Sequence, residues 1–465
     1  MGLFICLRFL DYIAYTVFYG TLTLFLIHGE GMSSSTAFMI MGGFIGLNYG
    51  CSLLGGALLE WVSDLRLPIF FGITLHFLGV LLFFKFGMIL LGLSLFVLGS
   101  LTFESSFFLL LTRLYQNNLA TLQKAFYFNY LAMNVGGLIG FTLGGLMQQN
   151  NSTHFVVLAT IVAFTLSLMI LCARFKFIAT AKTATTAWTS VYQFVLYPLL
   201  LLIAGSLIFT LFKFVSLVSS LVMGLWLLVY FSIWAVLLMK QRYKRYPAYS
   251  HFLVLTLAYL LFWSVYFLIP TLMALFLSSN VDLHFYTIEF SPAWFINIMC
   301  LVVIVGVLRT VRVFSKHALN IERQFALGFA LQIIALMVLC MGIFIAAGHQ
   351  IALFWAVLYF IIQALAELAL APIAFSSVGQ MIAPKLQPFF TGVWLSTLGV
   401  SVLIASKLSE TVAPHLYGNV SDNGTYMYLF LCLVALSFIG LFLVGVKHYV
   451  LGRLLPLDPM PTRQV

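Results

Sequence analysis

Long apolar stretches recur along the whole chain, and most of the polar connections between them are short. A helix of about 20 apolar residues spans the hydrocarbon core of a bilayer, and the stretches have that length. The pattern therefore predicts an all-α polytopic membrane protein with 14 transmembrane helices. The predicted helices cover residues 5–28, 36–60, 67–86, 88–115, 120–148, 153–177, 188–213, 217–240, 251–278, 292–315, 322–347, 350–382, 388–413 and 425–449.

The predicted helices divide into six, two and six. The middle pair, residues 188–240, contains no Asp or Glu. This division predicts an N-terminal six-helix bundle over residues 1–180, an inserted helix pair with its linkers over 181–250, and a C-terminal six-helix bundle over 251–465. Two six-helix bundles related by a pseudo-two-fold axis form the major facilitator fold, whose substrate site lies near the midplane between the bundles.

Composition and charge support a membrane protein and exclude other classes. The chain is 63% hydrophobic and only 7% charged, with a mean hydropathy of +1.12, whereas soluble domains carry roughly 25% charged residues. Nineteen of the 22 Lys and Arg fall on one predicted side, and only Lys85, Lys213 and Lys407 fall near the other. This positive-inside bias predicts that both termini are cytoplasmic. The net charge of +10 then sets orientation and meets anionic lipid, so we expect no nucleic-acid partner.

The six cysteines lie singly inside apolar stretches without metal-ligand spacing. We interpret them as small buried hydrophobic residues and expect no metal site. The loop residues Asp282 and His284 are close together, but no nucleophile motif accompanies them. An embedded enzyme is therefore not expected.

Three acids lie deep inside predicted helices: Asp11, Glu104 and Glu367. They are a quarter of the twelve Asp and Glu in the chain. A charged side chain at the bilayer centre costs on the order of 2.5–3.5 kcal/mol even on the gentler insertion scales, so such residues usually face a protein-lined cavity. We expect these three acids to form the functional site.

Short motifs occur in both halves of the chain, and each half has its own set. In the carboxy half, a Glu is followed five residues later by Pro, then by an Ala-Pro turn and a Gly-Val-Trp; the residues are Glu367, Pro372, Pro384, Gly392 and Trp394. The amino half contains Asn134 and Gly136 in the fifth helix, and Glu60 after a Gly-Gly pair. From about residue 10 to 445, the chain resembles the proton-dependent oligopeptide transporter (POT/PTR) family of the major facilitator superfamily.

The first helix departs from that family. Its motif there is Glu-x-x-Glu-Arg-Phe-x-Tyr-Tyr-Gly; here Asp11 retains one acid, while Ala14 and Tyr15 replace the second acid and the Arg. A further family Arg corresponds to Leu22, and the fourth-helix Lys corresponds to Glu104. The chain thus resembles an atypical member with a degenerate first-helix motif. The cavity is expected to be acidic, with unpaired carboxylates that readily hold a proton.

The resemblance implies a secondary active transporter that takes up small peptides, or peptide-like and amine-bearing solutes, by alternating access. Protons would be the coupling ion, with no other cofactor. Aromatic rings would contact a cationic solute by cation–π interaction. The substrate-binding residues are predicted to be Tyr15, Tyr19, Glu104, Asn134, Glu367 and Trp394, and the proton-coupling residues Asp11, Glu104 and Glu367. The expected setting is a bacterial inner membrane, with the lipid bilayer as partner and the monomer as functional unit.

Simpler interpretations remain for several of these residues. Asp11 has Arg8 three residues before it, a spacing that suits an ordinary ion pair on one helix face. The aromatic candidates can pack between helices, and Asn134 can bond helix to helix. His76 has no counterpart in the family pattern, and we expect a buried structural histidine rather than a proton relay. Alternative functions are proton-driven efflux of cationic compounds and a transport-inactive receptor or partner protein.

Overall fold

The computed structural model describes residues 2–62, 64–149, 153–173, 190–239, 242–245, 247–285, 288–290, 294–313, 318–417, 423–447 and 449. Within these residues, twelve helices are long and apolar enough to cross a membrane. The helix Leu119–Gln149 is not among the twelve, and the apolar segment Val157–Ala173 is shorter than the others. The count of 14 spans therefore stays a prediction.

Helices make up almost all of the described structure. The first group is α1 Gly2–Leu24, α2 Ser34–Gly50, α3 Ser52–Leu59, α4 Arg66–Phe84, α5 Ile89–Tyr115, α6 Leu119–Gln149 and α7 Thr153–Ala173. The middle group is α8 Ser190–Lys213, α9 Val215–Leu238 and the short α10 Arg242–Arg245. The last group is α11 Pro247–Tyr266, α12 Ala274–Asn280, α13 Trp294–Val313, α14 Ile321–Ala346, α15 Leu353–Phe375, α16 Ser377–Met381, α17 Gln387–Tyr417 and α18 Asn423–Val446.

Short irregular and extended segments connect some of these helices. π-Helical turns follow α1 at Phe25–Gly29 and join α11 to α12 at Ile269–Met273. Strand β1 Val281–Asp282 pairs in parallel with β4 Ile351–Ala352, and β2 His284–Phe285 pairs antiparallel with β3 Ile288–Glu289. The strands are two residues each, so the helices determine the architecture.

The local sequence explains where α14 begins and ends. The Asn320 side chain accepts a hydrogen bond from the Arg323 backbone N–H (2.9 Å), which satisfies one of the free donors at the helix start. The helix ends at Ala346, and the next residue, Ala347, has a left-handed backbone (φ 47°) that leads into Gly348 with φ 90°. Between such ends the backbone bonds to itself, which a bilayer requires.

The helices pack into two groups. In the amino half, α1 packs against α6 and α7, while α4 packs against α5 and α7. In the carboxy half, α14 packs against α15 and α18, and α11 packs against α17 and α18. These contacts agree with two bundles. The exact boundaries at 180 and 250 stay a prediction; residues 174–189, around the first of them, lie outside the described residues.

The two groups meet where α2 and α3 pack on α17, and where α6 packs on α13. Glycine permits the first of these contacts. A Cβ added to Gly56 would lie 2.6 Å from the Pro388 carbonyl oxygen and 2.7 Å from the Gly392 Cα. Only a residue without a side chain allows the backbones to approach this closely. The middle pair touches both groups, since α8 packs on α5 while α9 packs on α2 and α17.

Candidate functional site

A buried ion cluster connects α1 to α5. The Arg8 guanidinium donates a hydrogen bond to Glu104 Oε1 (2.6 Å) and lies 3.5 Å from Asp11 Oδ2. The Arg8 and Asp11 side chains are 1% and 3% exposed, whereas Glu104 keeps 18%. A charge-assisted bond of this length is strong, and burial shields it from water.

This cluster corrects the prediction of unpaired carboxylates in an acidic cavity. Both amino-half acids are paired with Arg8. The sequence spacing indicates Arg8 as a partner for Asp11 alone. The family position expected to hold a Lys is acidic at Glu104, and Arg8 supplies the compensating positive charge from the first helix. The physical reason is that buried carboxylates require a nearby cation. In the sequence, Glu104 has no assigned cation, and a buried acid without a cation is the signal that indicates a partner such as Arg8.

Aromatic rings surround the guanidinium. Its central carbon lies 5.4 Å from the centroid of the Tyr12 ring, and 5.9–6.0 Å from those of Phe103, Phe107 and Phe108. Cation–π contacts of this length add to the ion pairs and exclude water. Arg8 is therefore held in place from several directions.

His76 on α4 extends the cluster. Its Nδ1 lies 3.3 Å from Asp11 Oδ1, and its Nε2 lies 2.8 Å from the Ser100 hydroxyl. The ring is 2% exposed and stacks against Phe164 on α7, at 5.3 Å between centroids. The cluster thus joins three helices of the amino half through one continuous set of polar groups.

Glu367 forms a second centre between the two halves. It is 5% exposed and accepts a hydrogen bond from the Tyr130 hydroxyl on α6, while Tyr266 on α11 also interacts with its carboxyl group. Asn134 donates a hydrogen bond to the Tyr130 carbonyl (3.0 Å) within α6. Sequence reasoning identified Glu367 and Asn134 but not the two tyrosines, whose types are too common here to stand out.

A row of stacked tyrosines begins beside Arg8. Tyr15 stacks on Tyr12 and Tyr19, with ring centroids 5.6 and 5.9 Å away. Tyr49 interacts with both Tyr15 and Glu104. Tyr12, Tyr15, Tyr19 and Tyr49 are all partly exposed, so part of each side chain is accessible.

Trp394 is placed differently from its prediction. It is 1% exposed and packs against Tyr259 and Phe252, with ring centroids 4.5 and 5.2 Å away. In this conformation it fills the interior of the carboxy half. Large aromatic rings bury the most area and dominate such cores, which explains the placement.

Hydrogen bonds join the two halves on the predicted cytoplasmic side. Gln123 on α6 exchanges two bonds with the Leu319 backbone, at 2.9 and 2.7 Å. Arg113 donates to the Pro384 carbonyl (2.6 Å), and Gln387 donates to Gln116 (3.1 Å). These bonds connect the two halves at this end.

Two bacterial permeases are similar in sequence to this chain over most of its length. A permease of Yersinia pestis named dipeptide and tripeptide permease A is 22% identical over 407 residues, covering 85% of this chain and 80% of the relative. The permease of the same name from Cronobacter turicensis is 24% identical over 429 residues, covering 87% of this chain and 82% of the relative.

Solved structures show the same fold. A peptide transporter POT in complex with sulfate has a TM-score of 0.73 at 20% identity, covering 98% of this chain and 95% of that one. A POT family transporter in complex with 5-aminolevulinic acid has a TM-score of 0.74 at 17% identity, covering 96% of each chain. The predicted all-α major facilitator fold is thereby confirmed. The model of the POT family matches residues 53–423, which is most of the chain. The protein is therefore an integral membrane protein that belongs to the POT family, a family of transporters and not of enzymes.

Proposed function

We propose that this protein is a secondary active transporter that couples the uptake of small peptides, or of peptide-like and amine-bearing solutes, to protons. It acts by alternating access in a bacterial inner membrane, with both termini cytoplasmic. The observation that carries the proposal is Glu367, a buried acid in contact with Tyr130 of the opposite half. An acid at such a junction can bind a proton or a solute amino group, and either event changes the contact between the halves.

The choice of solute rests on relatives and on charge. Relatives are named dipeptide and tripeptide permeases, and one solved POT transporter was in complex with 5-aminolevulinic acid. In this chain, the Arg8 guanidinium is already bonded to Glu104 and lies beside Asp11. It is therefore a poor anchor for a solute carboxylate. We propose that the amino group of the solute meets Glu367, and that uncharged groups at its other end meet the tyrosines.

Uptake by proteoliposomes under an inward pH gradient tests this function. We expect gradient-driven uptake of dipeptides or of their C-terminal amides, with the amides taken up at least as well. The reason is that a free carboxylate finds no unpaired cation at the Arg8 cluster. A protonophore should abolish the uptake. Binding without accumulation would instead indicate a receptor, and transport only under the opposite gradient would indicate efflux.

Opening of the predicted cytoplasmic side should depend on Gln123. In Gln123→Ala, the two bonds to Leu319 are lost. Two hydrogen bonds contribute about 1–3 kcal/mol together, so we expect roughly ten-fold faster amide exchange at this closure. Hydrogen–deuterium exchange of peptides covering 116–123 and 382–387 measures it.

Thr121→Ala is the matched control, because the described bond of Thr121 runs from its backbone N–H to Asn118. Exchange in this control should stay within about two-fold of the wild type, as expected for a surface change. Equal exchange in Gln123→Ala and wild type would show that these bonds do not hold the halves closed.

A further inference from the structure

The buried cluster of the amino half has one more negative charge than positive charges when its histidine is neutral. Arg8 contributes one positive charge, while Asp11 and Glu104 contribute one negative charge each. His76 contacts Asp11 at 3.3 Å and is 2% exposed. A net charge in a buried site is costly unless it is compensated. One additional proton makes the cluster neutral.

His76 is well placed to carry that proton. Its Nδ1 faces Asp11, which belongs to α1, and its Nε2 faces the hydroxyl group of Ser100, which belongs to α5. Glu104, also on α5, interacts with it electrostatically. When both ring nitrogens carry hydrogen, Nε2 has a hydroxyl oxygen at hydrogen-bond distance, and Nδ1 has a carboxylate oxygen at 3.3 Å, the distance of an ion pair.

The remaining surroundings of the ring are apolar. Phe96 and Phe103 of α5 lie 4.5 and 6.3 Å from it between centroids, and Phe164 of α7 lies 5.3 Å away. Among the described residues that face His76, the titratable or charged ones are thus Asp11 and Glu104, with Arg8 beyond them. A Cβ at Gly99 would lie 2.6 Å from His76 Cδ2, so the absence of a side chain there makes room for the ring.

We propose that His76 holds an exchangeable proton that neutralises the cluster, and that this proton leaves through Asp11. In the step, the Asp11 carboxylate and the ring first turn into line from their 3.3 Å contact, the His76 Nδ1–H bond breaks and an O–H bond forms at Asp11 Oδ1. The imidazolium and the carboxylate both become neutral, so no net charge is created. Glu104 keeps 18% exposure while Asp11 and His76 keep 3% and 2%. Exchange with water therefore passes by Glu104 once its bond to Arg8 opens.

The charge state of His76 can be measured without any solute. The protein is labelled with ¹⁵N-histidine in lipid nanodiscs, and the His76 signal is assigned by its loss in His76→Gln. At neutral pH we expect both ring nitrogens to carry hydrogen in the wild type. Glu104→Gln removes one negative charge, so the proton is no longer needed and the imidazolium signal should be lost. Glu367→Gln is the control, because Glu367 lies outside the cluster, and there the signal should persist.

A second measurement links the proton to transport, and this link rests on the proposed function. In His76→Gln we expect pH-driven accumulation to be lost while solute counterflow, which moves no net protons, remains. His76→Asn serves if the Gln variant does not fold. A neutral His76 in the wild type, or an imidazolium that persists in Glu104→Gln, would overturn the proposal even if transport is confirmed. If no solute is transported, the proposed function fails while the nitrogen signals still decide the role of His76.

Discussion

Arg8→Gln is expected to lower the free energy of unfolding by about 3–5 kcal/mol, because it leaves two buried carboxylates without their cation. Glu104 loses a 2.6 Å bond, and Asp11 loses the guanidinium that lies 3.5 Å from its carboxylate. The carboxylates can recover part of this loss by taking up protons, so the damage should be smaller at low pH than at neutral pH. Thermal unfolding of the purified protein in detergent, followed by intrinsic fluorescence at both pH values, measures the effect.

Two further variants distinguish loss of charge balance from general damage. Arg8→Gln combined with Glu104→Gln removes one charge of each sign and should recover a large part of the stability. Lys407→Gln is the control, because the Lys407–Glu410 pair is exposed and such pairs contribute at most about 1 kcal/mol. If Arg8→Gln melts like this control, or if the double variant is no more stable than the single one, the cluster does not hold the helices together.

Hydropathy placed most helices within a few residues, because bilayer thickness fixes their length. The predicted 88–115 and 322–347 correspond to Ile89–Tyr115 and Ile321–Ala346. Hydropathy did not predict the local interruptions within these helices. The predicted helix 36–60 is interrupted at Cys51, next to Gly50, where α2 packs on Gly399 of α17. Such a break depends on a helix that is distant in sequence, so periodicity alone does not reveal it.

The acids of the site were predictable from their rarity, whereas their partners were not. Arg8 and Glu104 are 96 residues apart, and Tyr130 and Glu367 are 237 apart. Resemblance to the family identified the motif positions at which this chain lacks the family's cations. The compensating cation lies outside that motif, one helical turn before Asp11. Spatial pairing of this kind follows from the packing of α1 on its neighbours, which one sequence does not specify.

Glu367→Gln is expected to abolish pH-driven accumulation while leaving counterflow in place. Gln keeps the shape of the side chain and still accepts a hydrogen bond from Tyr130, so the fold should survive. The amide cannot be protonated, however, and it offers no charge to an amino group. An inward gradient of about one pH unit supports roughly ten-fold accumulation per coupled proton, since about 1.4 kcal/mol corresponds to a factor of ten. In Glu367→Gln this ratio should fall to about one.

Tyr130→Phe distinguishes the role of the Glu367 carboxyl group from the role of its hydrogen bond to Tyr130. It removes the hydroxyl that reaches Glu367 across the two halves but keeps the ring that packs on Phe375. Accumulation should therefore persist at a reduced rate, because the acid remains and only its link to α6 is weakened. Glu410→Gln, an exposed acid of α17, is the control and should behave as the wild type. Undiminished accumulation in Glu367→Gln would remove this residue from the coupling mechanism and leave the amino-half cluster alone as the proposed site of the coupling proton.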